Sequence, residues 1–356
     1  MEREVLLSVR DLQQYFKSGK FETKAVDGVS FDIYKGEVFG VVGESGCGKT
    51  TTGRSIIRLY DITGGSVYYK GQRICAGTRT YTNAIQKARK DFAEKKISKE
   101  EMDQIVAKNR EEIKQAKADH KKWSRSKGAN QLTNEIQMIF QDPIASLDPR
   151  MTVRDIIAEG LIIRGVKDKE YIDQQVYKML ETVGLVQEHA SRYPHEFSGG
   201  QRQRIGIARA VVMNPELIIA DEPISALDVS IQAQVINLLN ELSEKMGLTI
   251  MFIAHDLAVV KYFSNRIAVM YFGKIVELGT SDELFAHPCH PYTRSLLSAI
   301  PLPDPISEKG RTRITYNPVL DHDYSKEGPS MREVSPGHFV YCNSEELARY
   351  QQEINK

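Results

Sequence analysis

The chain has 356 residues, which corresponds to about two to three structural units at roughly 150 residues per domain. Its 48 Lys and Arg residues balance 47 Asp and Glu residues, and the formal net charge of +1 argues against a protein that coats nucleic acid through a global positive field. The composition, 41% hydrophobic and 27% charged, excludes the disordered and fibrous classes and predicts a packed enzyme or binding protein.

Signals for membrane insertion, secretion and disulfide formation are missing from the sequence. No apolar run approaches the ~18 residues of a spanning helix, and the N-terminal residues 1–4 lack the basic start and apolar stretch of a signal peptide. The cysteines lie far apart and form no Cys-x-x-Cys pair, so we expect reduced thiols. They are Cys47, Cys75, Cys289 and Cys342. We therefore expect a cytoplasmic protein that does not itself cross a membrane.

The N-terminal part is predicted to mix strands with one helix. Residues 5–10 and 26–34 have the pattern of short strands, and residues 38–42 form a compact apolar run that stops abruptly at Gly43. A further strand, residues 66–71, lies between glycine turns. A buried strand that leads into a glycine-rich turn is the expected result.

An inserted helical hairpin is predicted at about residues 84–127. This segment contains 14 Lys and Arg residues, 8 Asp and Glu residues, and no Pro or Gly. Ser98 and Glu101 form a capping box, so the turn is expected near residues 97–98. One narrow apolar stripe follows, made of Met102, Ile105, Val106, Asn109 and Ile113. The basic excess suits anionic lipid headgroups or RNA, but a solvated helical face is the simpler interpretation.

The second half alternates strands and helices, which predicts a parallel sheet with crossover helices. A mostly helical stretch, residues 153–193, separates the first of these strands from the rest. The predicted elements are strands at 135–140, 217–221 and 249–254 and helices at 200–212 and 231–245. Prolines cluster beyond Leu284, so the tail is expected to be extended, with one short helix near residues 292–299.

The segment Gly43–Thr50 matches the phosphate-binding pattern G-x-x-x-x-G-K-[ST], between a predicted strand and a predicted helix. Its glycines allow backbone N–H groups to wrap phosphates, and the helix dipole favours negative charge there. We expect Lys49 to neutralise the β- and γ-phosphates and the Thr50 hydroxyl to ligate Mg²⁺.

Two further segments carry chemistry. Strand 217–221 ends in adjacent carboxylates at the edge of the sheet where open α/β folds bind ligands. There Asp221 is predicted to hold the Mg²⁺ shell and Glu222 to orient or deprotonate the attacking water. Ser198 is predicted to be the N-cap of the next basic helix, which would make a second anion-seeking helix end.

Taken in order, these motifs resemble the full set of an ATP-binding-cassette (ABC) ATPase. The set comprises Gly43–Thr50, Gln141, Phe197–Gln201, Asp221 and Glu222, Ser225–Asp228, and His255. The resemblance implies an α/β fold of the P-loop NTPase type, with a RecA-like core, an antiparallel β subdomain and an α-helical signature subdomain. It places the cassette at residues 1–284, with the insert at about 84–127 and the helical subdomain at about 143–212.

The resemblance also implies a head-to-tail pair of cassettes, with each ATP between one phosphate loop and the partner's signature segment. The implied ATP-binding residues are Phe16, Gly43, Glu44, Ser45, Gly46, Cys47, Gly48, Lys49, Thr50 and Thr51. The implied signature residues, which contact the ATP of the partner, are Ser198, Gly199, Gly200 and Gln201.

Individual roles follow from the same resemblance. Gln141 senses the γ-phosphate, joins Thr50 and Asp221 at the Mg²⁺, and couples to membrane subunits. Asp228 communicates across the dimer, and His255 acts with Glu222 and Gln141 in catalysis by contacting the γ-phosphate. Phe16 lies where the family places an aromatic ring under the adenine, although neighbouring Tyr15 is an alternative. Phe197 and Ile224 depart from the usual Leu and Thr of the family without touching a phosphate-binding atom.

The tail, residues 285–356, is similar to the C-terminal extension of the ATP-binding subunits of oligopeptide and dipeptide importers, and most of all to the subunit type designated F. Residues 287–301 carry this similarity. His287, Cys289 and His290 also permit a metal-site interpretation, but a fourth ligand is lacking. Some relatives hold an iron–sulfur centre with downstream cysteines. Only Cys342 lies in that region here, so no iron–sulfur cluster is predicted.

The resemblance implies ATP and Mg²⁺ as cofactors and a peripheral place at the cytoplasmic face of the cell membrane. The implied partners are a second, D-type ATPase subunit, two transmembrane permease subunits and, indirectly, an extracellular peptide-binding protein, with no nucleic acid. The alternative function is a soluble ABC ATPase that acts on the ribosome or on nucleic acid, for which the basic insert is the only support.

Overall fold

The structure is a computed structural model that describes residues 3–123, 131–132, 134–300 and 313–354. The strands are β1 Val5–Ser18, β2 Phe21–Tyr34, β3 Val38–Val42, β4 Gly64–Tyr69, β5 Gln72–Ala76, β6 Ile136–Ile139, β7 Leu217–Asp221, β8 Thr249–Ala254, β9 Arg266–Tyr271, β10 Lys274–Thr280, β11 Ser330–Ser335 and β12 His338–Cys342. In the described ranges, no helix is both long enough and apolar enough to span a bilayer.

The α-helices are α1 Lys49–Ile56, α2 Arg79–Ala93, α3 Lys99–Trp123, α4 Val153–Ile163, α5 Lys169–Thr182, α6 Gly199–Val211, α7 Val229–Met246, α8 Leu257–Phe263, α9 Ser281–Ala286, α10 Pro291–Ser298 and α11 Ser344–Ile354. Two short 3₁₀ helices follow α5, at Gln187–Ser191 and Pro194–Glu196. The chain divides into two compact units. The first contains described residues within 1–35, 46–133 and 272–274, and the second contains those within 36–45, 134–271 and 275–356.

The first unit is built on a four-stranded antiparallel sheet with the order β2-β1-β4-β5. Along β1 buried apolar side chains alternate with exposed ones, the pattern of a strand with one covered face. Helix α1 packs against β1 and β2. The two predicted N-terminal strands are confirmed, but each is longer than predicted, because β1 and β2 pair as a ribbon of 14 residues per strand.

The predicted hairpin in the insert is confirmed as α2 and α3, although α2 begins at Arg79, before the shift in composition. The capping box is present: Glu101 N–H donates to Ser98 Oγ at 3.1 Å, and Ser98 N–H donates to Glu101 Oε2 at 2.8 Å. The predicted apolar stripe is only partly covered, since Ile105 keeps 37% of its surface exposed. Trp123, at the end of α3, is buried instead.

An ion-pair cluster joins α3 to the sheet of the first unit. Arg73 on β5 donates from Nε to Asp119 at 2.7 Å and from Nη1 to Glu112 at 3.2 Å. Arg58 Nη1 donates to the carbonyl oxygen of Trp123 at 2.6 Å. The insert is therefore fastened at the C-terminal half of α3 and is not a free hairpin.

The second unit contains an eight-stranded sheet with the order β11-β12-β10-β9-β3-β8-β7-β6. Strands β9, β3, β8, β7 and β6 are parallel neighbours, as the strand–helix alternation predicts. Every residue of β3, β7 and β8 is buried, which fits a sheet covered on both faces. Gly40 on β3 allows close approach of a helix, because a Cβ there would lie 2.4 Å from Val260 of α8.

The tail differs from the prediction of an extended chain with one short helix. The predicted helix exists as α10, but β11, β12 and α11 follow it, and β12 joins the main sheet by pairing with β10. Apolar residues hold this part together in a small core of Cys289, Val334, Val340, Cys342 and Tyr350. The prediction of an extended tail was wrong because it rested on the proline cluster at 288–305 and missed the apolar alternation further on. Three of these five prolines, at 301–305, lie outside the described residues.

Candidate nucleotide-binding site

The phosphate-binding pattern lies between β3 and α1, as predicted. Gly46 and Gly48 have φ angles of 81° and 108°, values that residues with a Cβ atom rarely adopt. Gly48 is the N-cap of α1, and its carbonyl oxygen accepts from the N–H of Thr52 at 2.9 Å. The positive φ angles explain why the turn contains glycines, and the turn leads into the N-terminus of α1, the kind of helix end that binds anions.

The lysine of the pattern is buried at the start of α1. Lys49 is only 3% exposed, and its Nζ lies 4.0 Å from Cys47 Sγ. Cys47 is itself buried, and its carbonyl oxygen accepts from the N–H of Gly273. Thr50 and Thr51 follow in the first turn of the helix. Lys49 therefore lies at the helix start, where the pattern expects its phosphate-binding lysine.

The start of the loop has a partner that sequence reasoning did not identify. Glu44 donates its backbone N–H to the hydroxyl oxygen of Tyr292 at 3.0 Å. Tyr292 belongs to α10, in the tail that the sequence analysis treated as an extension beyond the cassette. No local signal connects two residues 248 positions apart.

Three predicted residues meet at the carboxyl ends of β6, β7 and β8. Gln141 Nε2 donates to Glu222 Oε2 at 3.1 Å, and His255 Nδ1 lies 3.3 Å from the same oxygen. The Glu222 side chain is 13% exposed and that of His255 is 56% exposed. The structure thus assembles a carboxylate, an amide and an imidazole at the sheet edge where a ligand is expected.

The backbone at Glu222 is unusual, and this helps to place its carboxylate. Its φ angle is 44°, and its N–H donates to the carbonyl oxygen of Ile253 at 2.9 Å. A non-glycine residue in this region costs about 1–2 kcal/mol, and such strain concentrates at functional sites. Asp221, the preceding residue, ends β7 and is fully buried.

The predicted Mg²⁺ ligands have suitable chemistry. Mg²⁺ prefers hard oxygen donors such as carboxylates and hydroxyls. Asp221 offers a carboxylate at the end of a rigid strand, and Thr50 offers a hydroxyl in the first turn of α1. The side-chain amide of Gln141 donates a hydrogen bond from Nε2 to Glu222, and its Oε1 is a neutral oxygen donor suited to a cation.

The signature segment forms the predicted cap of α6. Ser198 Oγ accepts from the N–H of Gln201 at 3.3 Å, while Gln201 Oε1 accepts from the N–H of Ser198 at 3.0 Å. Gly199 and Gly200 lie between them without side chains that would cover the helix end. The N-cap prediction is therefore confirmed, and Ser198 and Gly199 at this helix end are exposed.

Asp228 caps the next helix, α7. Its Oδ1 accepts from the N–H of Ile231 at 3.0 Å and from the Ser230 hydroxyl at 2.6 Å. These hydrogen bonds, that from Ser230 first, lower the pKa of the Asp228 carboxyl group. Asp228 is exposed and remains charged at neutral pH.

The two aromatic candidates on β1 have different surroundings. The Tyr15 hydroxyl is bonded to Asp27, and its ring lies 4.5 Å from the guanidinium carbon of Arg79. Burial and the bond to Asp27 raise the pKa of this hydroxyl. Phe16 is 39% exposed and touches only the edge of Tyr60 among the ring contacts of the described residues. Phe16 is therefore the more exposed of the two rings.

The metal-site interpretation of His287, Cys289 and His290 finds no support in the geometry. His287 is exposed, and His290 Nδ1 accepts the N–H of Tyr292 at 3.1 Å. Cys289 instead lies near Glu277 and His338, whose ligand atoms are all within 4.8 Å of one another. Glu277 there accepts backbone N–H groups, and burial raises the pKa of Cys289 to about 12. This group is a buried hydrogen-bond network with a neutral thiol.

Comparisons with known proteins agree with this geometry. The family profile described as "ABC transporter" matches residues 26–225, and the profile described as "Oligopeptide/dipeptide transporter, C-terminal region" matches residues 276–327. The oligopeptide transport ATP-binding protein OppF of Bacillus subtilis (strain 168) is 53% identical over 98% of this chain and 99% of its own length. The dipeptide transport ATP-binding protein DppF of Lactococcus lactis is 47% identical over 97% of this chain and 96% of its own length.

Solved structures support the fold. The ATP-binding cassette MJ0796, determined as a dimer in a post-hydrolysis state with ADP and Pi, matches 78% of this chain and 99% of its own with a TM-score of 0.58 and 24% identity. The cbiO1 protein of Clostridium perfringens matches 80% of this chain and 91% of its own, with a TM-score of 0.59 and 23% identity. The P-loop ABC fold predicted from the motifs is confirmed, and the chain is an ATPase. It belongs to the ABC transporter family, among the ATP-binding proteins that carry the oligopeptide/dipeptide transporter C-terminal region.

Proposed function

We propose that this chain binds and hydrolyses ATP to energise an importer of oligopeptides or dipeptides. The observation that carries this proposal is similarity over nearly the whole chain to oligopeptide and dipeptide transport ATP-binding proteins, including the tail region described for such transporters. The alternative, action on ribosomes or nucleic acid, is not favoured by these relatives. The anchored position of the insert on β5 also gives its helices a structural role that requires no RNA.

The proposed domain organisation is a cassette at residues 1–284 followed by an extension at 285–356. Within the cassette, residues 43–51 bind the phosphates of ATP and Phe16 stacks on the base. Mg²⁺, held by Thr50, Asp221 and Gln141, would neutralise charge on the phosphates.

Glu222 is the proposed general base for the attacking water. Gln141 and His255 both contact its Oε2, so the carboxylate is held in one orientation from two sides. Gln141 and His255 are also the residues proposed to contact the γ-phosphate. A fixed base that meets its water in line with the phosphate contributes roughly 10²–10⁴-fold to the rate.

The working form is proposed to be a head-to-tail pair with a second, D-type ATPase subunit. Ser198, Gly199, Gly200 and Gln201 form the N-terminus of α6, a helix end that favours an anion. This site serves the ATP of the partner, and Asp228 communicates between the two. Two permease subunits would hold the pair at the cytoplasmic face of the cell membrane, and an extracellular binding protein would deliver peptide.

Reconstitution tests this proposal. The complete transporter, purified from detergent-solubilised membranes and placed in liposomes, should take up labelled peptide only when ATP is present on the side of this chain. Ser198→Arg should fill the γ-phosphate space of the partner's site and block uptake, whereas Ser191→Arg, at an exposed position in the preceding 3₁₀ helix, should not. Full uptake with Ser198→Arg would contradict the composite site, and a purified complex without permease subunits would contradict the importer.

A further inference from the structure

We propose that the C-terminal extension forms part of the ATP site of its own chain, with Tyr292 as a positioning residue for the phosphate loop. This inference rests on the proposed assignment of residues 43–50 as that loop. The extension would then be more than an appendage to the cassette, because nucleotide affinity would depend on it.

A hydrogen bond joins Tyr292 directly to the start of the phosphate loop. The backbone N–H of Glu44 donates to the Tyr292 hydroxyl oxygen at 3.0 Å. Tyr292 is 2% exposed, whereas the Glu44 side chain points to solvent. An exposed loop residue is thus bonded through its backbone to a buried side chain, just before Gly46 and Gly48 of the loop.

Tyr292 is held by hydrogen bonds at the start of α10. Its backbone N–H donates to Nδ1 of His290, the N-cap residue, at 3.1 Å. His290 N–H in turn donates to Glu277 Oε2 at 3.0 Å, and Cys289 N–H donates to Glu277 Oε1 at 2.8 Å. His338 Nε2 lies 2.8 Å from the same Oε1. Since Glu277 and His338 are fully buried, β10 and β12 together fix where α10 begins.

Ring contacts fix the other end of the Tyr292 side chain. The ring centroid of Tyr271, the last residue of β9, lies 4.5 Å away, and that of Tyr316 lies 5.6 Å away. β9 is the immediate neighbour of β3, the strand that leads into the phosphate loop. The hydroxyl position is therefore set by the same sheet that carries the loop.

The chemical consequence concerns affinity more than the reaction step. A phosphate loop that is ordered before ATP arrives does not have to be ordered by the ligand, and this preorganisation strengthens binding. The contacts of Tyr292 described above are with Glu44, His290, Tyr271 and Tyr316, and the proposed base is not among them. Loss of its hydroxyl should therefore raise the KM for ATP and leave kcat at saturating ATP nearly unchanged.

The test compares Tyr292→Phe with Tyr350→Phe in the full-length chain. Both rings are buried in the same extension, but the Tyr350 hydroxyl faces Arg349 at 3.5 Å and has no link to the loop. Equilibrium binding of trinitrophenyl-ATP to the chain and the ATP dependence of hydrolysis by the assembled complex are measured for each. Lys49→Ala reports separately whether residues 43–50 bind phosphate.

The expected result is a Kd raised about 3- to 10-fold by Tyr292→Phe, the effect of one neutral hydrogen bond, with KM raised similarly and kcat within about twofold. Tyr350→Phe should leave all three values at wild type. If Tyr292→Phe binds as tightly as wild type while Lys49→Ala does not bind, the positioning role is wrong and the loop assignment stands. If Tyr350→Phe weakens binding equally, the effect is general to the extension, and the specific role of Tyr292 is overturned. If Lys49→Ala binds normally, the loop assignment itself fails.

Discussion

Arg73 should determine whether the insert stays on the sheet of the first unit. Arg73→Ala removes the bonds to Asp119 and Glu112, and the side chains of Arg73 and Asp119 are only 10% and 18% exposed. Exposed ion pairs contribute up to about 1 kcal/mol and hydrogen bonds to charged partners about 1.5–3 kcal/mol. Since the Asp119 pair is partly buried and the Glu112 pair more open, we expect a loss of about 2 kcal/mol in the local stability of α3.

Hydrogen exchange measures this loss directly. A decrease of about 2 kcal/mol should make amide exchange in α3 about 30-fold faster, with β1 and β2 unchanged, because local opening has its own free energy. Arg150→Ala is the matched control, since that side chain is 91% exposed and 3.8 Å from Asp148. Unchanged exchange in α3, or equal acceleration throughout the first unit, would refute the anchoring argument.

Three further predictions use the same structure. Replacement of residues 84–127 by a short Gly/Ser linker should leave ATP hydrolysis by the assembled complex within about threefold of normal, because the ion pairs of α3 are not part of the ATP site; loss of hydrolysis in a folded protein would show that the hairpin supports the catalytic pair. All four cysteines are buried, but Cys47 precedes a helix N-terminus, while burial raises the pKa of Cys75 and Cys342 to about 11 and that of Cys289 to about 12. Cys47 should therefore be the first of the four to be alkylated and should be shielded by Mg-ATP; peptide mapping that finds Cys47 labelling unaffected by ATP would contradict the loop placement. Burial, with His322 and Arg294 nearby, lowers the pKa of His290 in the folded chain to about 3. As the pH falls below 6.5, the His290 imidazole is therefore protonated in the unfolded chain before it is protonated in the folded chain. The free energy of unfolding should consequently fall by about 2 kcal/mol between pH 7 and pH 5. Chemical unfolding at both pH values should show that loss in wild type and a smaller one in His290→Asn, and an equal loss in both would contradict it.

The parts of the fold that follow from sequence are those with local signals. The predicted capping box at Ser98 and the predicted N-cap at Ser198 involve residues only three positions apart, and both are present. The alternation of β7, α7 and β8 has clear periodicity and caps, and the glycine spacing of the phosphate loop requires its turn. Local chemistry therefore suffices for these elements.

The parts that could not be predicted depend on contacts between distant residues. β12 pairs with β10 about sixty positions earlier, through Val340 and Glu277, and no local pattern specifies that partner. The meeting of Gln141, Glu222 and His255 at one oxygen follows only from strand order in the sheet. The hydrogen bond between Glu44 and Tyr292 likewise joins residues that are too far apart in sequence for a local pattern to predict their contact.

The most direct measurement of the central claim is the state of the nucleotide held by this chain when Glu222 cannot act as a base. The assembled transporter carrying Glu222→Gln is incubated with a photoreactive ATP analogue, and the nucleotide crosslinked to this chain is identified. Glu241→Gln, whose side chain is 61% exposed on α7, is the control. We predict retained triphosphate on this chain, a rate of hydrolysis there at least about 10²-fold lower, and no peptide uptake, with the control unchanged. Diphosphate formed on this chain at the wild-type rate would contradict the assignment of Glu222 as the base that drives the transporter.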